Sequence, residues 1–506
     1  MPSQVRLAGV LAALSLTSDL TRGHPPGEAM RACLLAADLA RRASHDPAAV
    51  GDVFYAGLMR FAGCAATSHD AAAAFGGDDV IVRARGDLID PTRPVEALRF
   101  LAGLGHGVDK ARIVARAPQV RRIVKESARA DCEVGAGLVS RLRLPDVVRQ
   151  SVLCAFERFD GHGSPTGLAG EDIPAAARFA AVGYAAVMFD AVGGTAAARA
   201  AVTRWTGRAL DPAITAVFLD APDELLVLSR PDDVWAAVVD REPAPHRFFR
   251  DEADLDEALA GFGDAADLKT PFFQGHSRGV AGLFRDAARA ASLDPGVAYR
   301  AGLVHDLGRA AIPTGIWERP GPLPVESWEL VRLHPYQSGR ILSRSPDLAP
   351  LGAIAGRHHE RIDGSGYPSG VHGSDLDDLS RLLAAADVWH ALGEDRPHRA
   401  ALNPADAARV LSGMPLDRSA VRAVLAAADA PAPSFPPLPV DLTERELDVL
   451  RRLIVGRTKR EIAGELFISH STVHTYTVHI YAKCGVSTRA GLAMFAMRHG
   501  LAGTGR

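Results

Sequence analysis

The residues of this chain whose types and spacing could do chemistry are histidines and aspartates in its second half. They form one ordered series: His276, His305, Asp306, His334, His358, His359 and Asp387. A lone histidine is usually a surface or core residue, but the joint order of the series favours metal ligands. Imidazole and carboxylate together suit iron or manganese, and also zinc, and no thiolate is placed to favour a soft metal. The set predicts a cluster of two metal ions.

The elements that must position these side chains are helices, because each ligand lies in or beside an alanine- and leucine-rich segment. A chain of 506 residues should hold two to four domains. The five cysteines show no paired spacing, which is typical of reduced thiols in the cytoplasm. The apolar run at 5–16 is too short to span a membrane. We therefore expect a helix there and a cytoplasmic protein with no membrane partner.

Residues 269–428 resemble an HD-GYP domain, a branch of the HD metal-dependent phosphohydrolases. The motifs that carry the resemblance are His276-Ser277, His305-Asp306-Leu307-Gly308, Ile312-Pro313, Pro320-Gly321, His334-Pro335, the stretch 358–368 with its Gly-Tyr-Pro turn, and Asp387. The family is all-helical, and its best-known activity is hydrolysis of cyclic di-GMP. The resemblance implies one metal on His276, His305, Asp306 and Asp387, and a second on His334, His358 and His359 with Asp306 as the bridge.

The same resemblance implies how substrate is bound. Asp306 and Arg309 would be the catalytic residues, and Arg309, Arg396 and Arg399 would meet the substrate phosphates. Relatives usually have lysine at position 309, and His390 and His398 also depart from the family pattern. Phe272 stands where some relatives place a glutamate for a third metal, so we expect two divalent ions, iron or manganese.

Residues 1–220 repeat this pattern without its ligands. Residues 157–167 parallel residues 360–370 through a shared Glu-Arg-x-Asp-Gly string. The repeat also pairs Gly23-His24 with Gly275-His276. At the other ligand positions the first half has different residues: Arg60-Phe61 for His305-Asp306, a position near Cys132 for His334, Ala155-Phe156 for His358-His359, and Tyr184 for Asp387. The alternative is coincidence between two alanine-rich stretches. We predict a helical HD-like domain that has lost its metal chemistry, followed by a connector at 221–268.

The last residues of the chain are basic. A proline-rich stretch at 429–440 predicts a semi-rigid linker. Beyond it, Thr443 with Glu446 and Thr458 with Glu461 predict capping boxes that open two short helices. Two more helices are predicted at 471–484 and 488–499.

Residues 441–506 resemble a LuxR-type helix-turn-helix domain. The resemblance rests on Leu442-Thr443, Glu446, Gly456, Glu461-Ile462-Ala463, Ile468-Ser469, Thr472-Val473, Ile480, Lys483 and Gly485-Val486. It implies a third helix that enters the major groove of DNA. The exposed face would be formed by His470, Ser471, His474, Thr475 and Lys483. A helical dimerisation tail with incidental positive charge is the alternative.

Together these patterns predict an all-α protein of tandem HD-type domains and a four-helix DNA-binding domain. The expected function is a homodimeric transcription regulator whose central domain binds, and hydrolyses, a cyclic dinucleotide. Two rivals stay open. One is a sensor that binds metal and nucleotide without turnover, and the other is a phosphohydrolase of another nucleotide that the DNA-binding domain recruits. Release of linear product distinguishes turnover from sensing.

Overall fold

The computed structural model describes residues 5–43, 46–75, 77–90, 92–103, 117–371, 375–429, 442–499 and 501. Helices form the regular structure of these ranges, and no strand occurs within them. The all-α prediction is therefore confirmed. The prolines of the predicted linker, at positions 431, 433, 436, 437 and 439, lie outside the described residues.

Two compact units divide the chain: Met1–Ala65 with Asp70–Ala258 and Arg344–Leu348, and Ala66–His69 with Leu259–Ser343 and Ala349–Arg506. The helices up to the boundary are α1 Leu7–Arg22, α2 Glu28–Arg42, α3 Pro47–Met59, α4 Ser68–Phe75, α5 Asp79–Gly86, α6 Pro94–Gly103, α7 Ala117–Arg141, α8 Asp146–Leu153, α9 Ala175–Trp205, α10 Pro212–Asp220, α11 Pro222–Leu228, α12 Val234–Asp240 and α13 Glu252–Asp267.

The remaining helices are α14 His276–Ala290, α15 Pro295–Val304, α16 Thr314–Trp317, α17 Val325–Arg332, α18 His334–Leu342, α19 Ala349–Ala355, α20 Asp378–Leu392, α21 Pro404–Gly413, α22 Arg418–Ala428, α23 Glu444–Ile454, α24 Lys459–Leu466, α25 His470–Cys484 and α26 Arg489–Arg498. Two short 3-10 helices, Pro271–Phe273 and Leu307–Ala311, flank the predicted ligands.

A buried aspartate ties two helices together in the same way in each unit. The carboxylate of Asp19, in α1, accepts a hydrogen bond of 3.0 Å from the N–H of Ala29, ten residues later at the start of α2. Asp267, at the end of α13, accepts one of 2.8 Å from the N–H of Ser277, also ten residues later. The pKa of both carboxyls is raised to about 7 by burial. These matching contacts align Glu28 with His276.

Close packing between helices supports the same alignment of the two units. A Cβ built on Gly57 would lie 3.1 Å from the Cα of Cys33, and one built on Gly302 would lie 2.6 Å from the Cα of Ala281. Only glycine permits such an approach without displacing the neighbouring backbone. The predicted pairing of Gly23-His24 with Gly275-His276 was therefore wrong, because the tertiary contacts shift the repeat by one helical turn.

The longest helix, α9, is apolar enough over its length to cross a membrane. More than half of its most apolar stretch, 56%, is nevertheless buried inside the protein. Its backbone also leaves helical geometry at Gly193 and Gly194. These features fit a core helix that is interrupted near its middle.

The C-terminal residues form the four predicted helices, α23 to α26. Both predicted capping boxes are present, with Thr443 and Glu446 opening α23 and Thr458 and Glu461 opening α24. Gly485 adopts a positive φ of 66° directly after α25, where a left-handed residue ends the helix. The helix ends therefore follow the local signals in the sequence.

Candidate metal centre

The seven predicted ligands converge on one buried site in the second unit. They come from helix ends and one helix interior: His276 begins α14, His305 and Asp306 directly follow α15, His334 begins α18, His358 and His359 follow α19, and Asp387 lies within α20. Four of them, His276, His305, Asp306 and Asp387, place ligand atoms within 4.8 Å of one another. His334, His358 and His359 form a second such group.

The two oxygens of Asp306 face different histidines. Its Oδ2 lies 3.3 Å from His276 Nε2 and 3.0 Å from His305 Nε2. Its Oδ1 lies 3.3 Å from His334 Nε2 and 3.4 Å from His358 Nε2. A carboxylate has two oxygens that can serve two ions, whereas a neutral imidazole has one free lone pair. Asp306 therefore lies between two pairs of histidines, with one of its oxygens toward each pair.

The donor set fits a metal. Both oxygens of Asp306 and the Nε2 atom of His305 are buried and have no hydrogen-bond partner of good geometry. Buried polar atoms without a hydrogen-bond partner are costly, and a metal ion at the point that these lone pairs share would satisfy them. The described residues can therefore hold at least one divalent ion.

The backbone fixes which nitrogen of three imidazoles faces the centre. Nδ1 lies 2.8 Å from Gly302 O in His305, 2.6 Å from Val331 O in His334, and 2.6 Å from Ala355 O in His358. A carbonyl oxygen only accepts, so each Nδ1 must carry the proton and donate it. Each Nε2 lone pair is then free to bind a metal.

Two of these histidines differ in charge preference. Burial, the largest influence, lowers the pKa of His334 to about 4, so this ring is neutral near pH 7. Burial acts in the same direction on His305, but the negative charge of Asp306 overcomes it and raises the pKa to about 9. A bound cation would compete with that proton for the same lone pair.

Glu394 is a part of the site that the sequence analysis missed. Its carboxylate oxygens lie 3.2 and 3.1 Å from Nδ1 of His276, on the side of the ring opposite Asp306. It also lies 3.1 Å from His390 Nδ1 and 2.5 Å from Arg396 Nη2. His276, His390 and Glu394 form a third group of side chains that could hold an ion. A neutral His276 that binds a metal through Nε2 cannot also bind one through Nδ1, and in that case the carboxylate would orient the imidazole. Its position two residues before Arg396 was the available signal.

The three predicted phosphate contacts have different surroundings. Arg309 Nη2 lies 2.6 Å from Asp306 Oδ2, and its guanidinium carbon lies 4.2 Å from the centroid of the Phe273 ring. Arg396 is paired with Glu394 and also donates to Phe272 O at 2.9 Å. Arg399 donates to the backbone carbonyls of Ala391, Leu392, Glu394 and Ala400. Arg309 is thus beside the ligands, while the guanidinium of Arg399 caps the end of α20.

The corresponding region of the first unit has different chemistry. Arg22 pairs with Asp87, and its guanidinium carbon lies 3.8 Å from the centroid of the Phe61 ring. Tyr184 OH lies 3.0 Å from Asp87 Oδ2. All groups of three metal-ligand side chains found among the described residues of the chain belong to the second unit. Ion pairs and aromatic rings therefore occupy the place of the ligands in this unit.

The repeat also assigns a different counterpart to His334. A Cβ on Gly308 would lie 2.0 Å from His334 O, and a Cβ on Gly63 would lie 2.1 Å from Asp131 O. Asp131, rather than the adjacent Cys132, therefore stands where the second unit has His334.

The predicted DNA-reading side chains lie on α25. His470, Ser471, His474 and Thr475 are exposed. Lys459 Nζ donates to His474 Nδ1 at 2.8 Å. Lys483 Nζ lies 2.8 Å from Glu446 Oε2, the carboxylate of the first capping box. The ammonium of Lys483 has three donors, so this ion pair uses only part of its hydrogen-bonding capacity.

The helical fold and the histidine–aspartate site together define an HD-type protein with a candidate metal site and a helix-turn-helix domain. The model of the HD domain matches residues 262–419, and that of the bacterial regulatory proteins of the LuxR family matches residues 440–496. This chain therefore contains an HD domain and a C-terminal LuxR-type domain, and both resemblances are confirmed.

Known relatives cover different parts of the chain. The 3'3'-cGAMP-specific phosphodiesterase 3 of Vibrio cholerae is 27% identical over 408 residues, which are 78% of this chain and 88% of the relative. A cyclic di-GMP phosphodiesterase of Pseudomonas aeruginosa is 40% identical over 138 residues, which are 26% of this chain and 33% of the relative. The crystal structure of a cyclic GMP-AMP-specific phosphodiesterase of V. cholerae matches with a TM-score of 0.60 at 22% identity, over 85% of this chain and 99% of that one. The last comparison establishes the shared fold.

Proposed function

We propose that this protein hydrolyses a cyclic dinucleotide at its HD domain and regulates transcription through its LuxR-type domain. The observation that carries the first part is the orientation of Asp306, whose two oxygens face two separate histidine sets. The activities of the relatives in V. cholerae and P. aeruginosa support the same substrate class.

Different residues of the site would have different roles in hydrolysis. Two divalent ions, iron or manganese, would supply positive charge beside the phosphate and a water acidic enough to attack it at neutral pH. Asp306 and the histidines hold that charge in place. Arg309, which has two buried nitrogens without hydrogen-bond partners, binds a phosphate oxygen and orients the phosphodiester.

Turnover is tested with purified protein loaded anaerobically with iron or manganese. We expect linear product from 3',3'-cyclic GMP-AMP or cyclic di-GMP, and loss of product in Asp306→Asn, because asparagine supplies one oxygen instead of two. The exposed Asp378→Asn in α20 is the matched control. Metal-loaded protein that binds nucleotide without releasing product would refute hydrolysis and favour the sensor. Turnover of other nucleotides alone would identify a different phosphohydrolase.

DNA binding is supported by the exposed side chains of α25 and by the LuxR-type match. A module this small contacts few phosphates, so we propose that two copies bind an inverted repeat whose half-sites lie about one helical turn apart. Selection from random DNA should enrich such a repeat, and His474→Ala should change the preferred sequence. Lys483→Ala should weaken binding to all sequences and lower the salt dependence by about one unit.

The exposed Lys125→Ala in the first unit is the matched control for charge. If no sequence is enriched and binding does not depend on salt, the regulator part of the proposal is wrong. We also propose that the protein is cytoplasmic and works without a membrane. All five cysteines are free and buried, which supports a reducing compartment.

A further inference from the structure

A short segment directly before His276 contacts the DNA-binding domain. The side-chain amide of Gln274 donates to the carbonyl of Ile454, the last residue of α23, at 2.6 Å. The backbone N–H of Gly275 lies 3.2 Å from the Sδ atom of Met497, in α26. Ile454 and Met497 are only 2% and 3% exposed. The LuxR-type domain is therefore docked on the polypeptide that leads into the metal centre.

The other side of the same segment contacts the arginines of the candidate site. The ring of Phe273 lies 4.2 Å from the guanidinium carbon of Arg309 and 4.7 Å from that of Arg396. The carbonyl of Phe272 accepts a hydrogen bond of 2.9 Å from Arg396. One segment of five residues, 271–275, thus touches both the substrate-side arginines and the DNA-binding domain. We call it the coupling segment.

We propose that the coupling segment links occupancy of the metal centre to docking of the DNA-binding domain. This inference rests on the proposed function and gives it a physical route. Asp306 now faces Arg309, and metals would take up the oxygens of that carboxylate. A bound phosphodiester would in turn attract the guanidinium groups away from Phe273. Occupancy therefore removes contacts that hold the coupling segment against the site, and the domain resting on Gln274 loosens.

The docked domain is not closed to DNA by this contact. The docking face consists of the end of α23 and of α26, whereas His474 and Thr475 on α25 stay exposed. Docking thus restricts where the reading helix points instead of covering it. Two copies on one operator need matching orientations, so a change in docking changes the affinity for the paired site. By linkage, DNA must change nucleotide affinity by the same factor.

The test is hydrogen exchange of the full chain in three states: metal-free, loaded with Mn²⁺, and loaded with Mn²⁺ plus a phosphorothioate analogue of 3',3'-cyclic GMP-AMP. Amides at 452–457 and 492–499 should exchange about 5- to 150-fold faster in the fully loaded state, the usual range of coupling between sites. In the Gln274→Ala variant, the same amides should exchange fast in all three states. The exposed Gln150→Ala in the first unit should respond like the unaltered protein.

The outcomes separate the inference from the function on which it rests. Protein that binds Mn²⁺ and releases product, yet shows unchanged exchange at these amides, overturns the coupling and leaves the enzyme in place. A full response in Gln274→Ala also overturns it. Protein that stays metal-free after loading overturns both. The second measurement uses a DNA duplex enriched by selection. The nucleotide should change the affinity for this duplex by some factor, and the duplex should change the affinity for the nucleotide by the same factor. In the Gln274→Ala variant this factor should fall to about one.

Discussion

Glu394 offers a direct test of how the candidate metal centre is supported, because its carboxylate contacts His276 on the side of the ring that faces away from Asp306. Burial alone favours its neutral acid. His276, His390 and Arg396 outweigh burial and hold the pKa of Glu394 well below its usual range. The carboxylate is therefore charged, and its oxygens at 3.1 and 3.2 Å fix the ring of His276 and raise the basicity of that ligand.

Glu394→Ala should lower metal affinity by about 10- to 100-fold, or about 1.4 to 2.8 kcal/mol, the usual effect of removing a partner behind a metal-bound histidine. The Glu394→Gln variant should show a loss of metal affinity at the lower end of this range, because the amide oxygen still accepts a hydrogen bond from Nδ1 of His276 but carries no charge. Only the metal held with His276 should weaken, since His334, His358 and His359 do not contact residue 394.

The assay is competition between the full chain and a chelator for Mn²⁺, followed for both ions. The exposed Glu326→Gln, in the same unit, controls for the loss of one negative charge. If both variants of Glu394 retain both ions with unchanged affinity, the carboxylate has no part in supporting the centre. Equal loss of both ions would show that it acts on the fold of the site as a whole.

Three further predictions follow from the packing and charges. Asp306→Ala should lose most of both metals in elemental analysis, and retention of one full equivalent would contradict the bridge. Gly302→Ala should destabilise the second unit by about 1 to 3 kcal/mol in urea unfolding, because the added Cβ overlaps α14, whereas Gly282→Ala, which has open space around it, should not. Burial raises the pKa of Asp19 to about 7, so its contribution to stability is present below about pH 4 and lost as the pH rises through 7. The raised pKa, about 3 units above its usual value, corresponds to about 4 kcal/mol of free energy of unfolding. The Asp19→Asn variant should lose this pH dependence of the free energy of unfolding, and an unchanged pH profile would refute the role of Asp19.

The sequence identified the local features of this protein well. The seven candidate ligands could be predicted as one set because they occur in an ordered series of short motifs. The helix ends at Thr443, Thr458 and Gly485 could be found because capping is decided by neighbouring residues. These signals act within a few positions of the chain.

The missed features depend on contacts between distant positions. The repeat could not be aligned from Gly23-His24, because the hydrogen bond of Asp19 to Ala29 shows that Glu28 takes the place of the first ligand. The only sequence signal for Glu394 was its position two residues before Arg396, because folding alone brings it behind His276, 118 residues earlier. The partners of Arg399 are backbone carbonyls, and no rule of residue spacing predicts such contacts.

The carbonyl partners of His305, His334 and His358 bear on which metal the candidate site would select. They determine which nitrogen of each ring faces Asp306, so the backbone specifies the tautomer and the direction of each donor. They do not specify one element, because imidazole and carboxylate donors accept several divalent ions. The ion that this protein would hold in a cell would then depend on supply as well as on the fold.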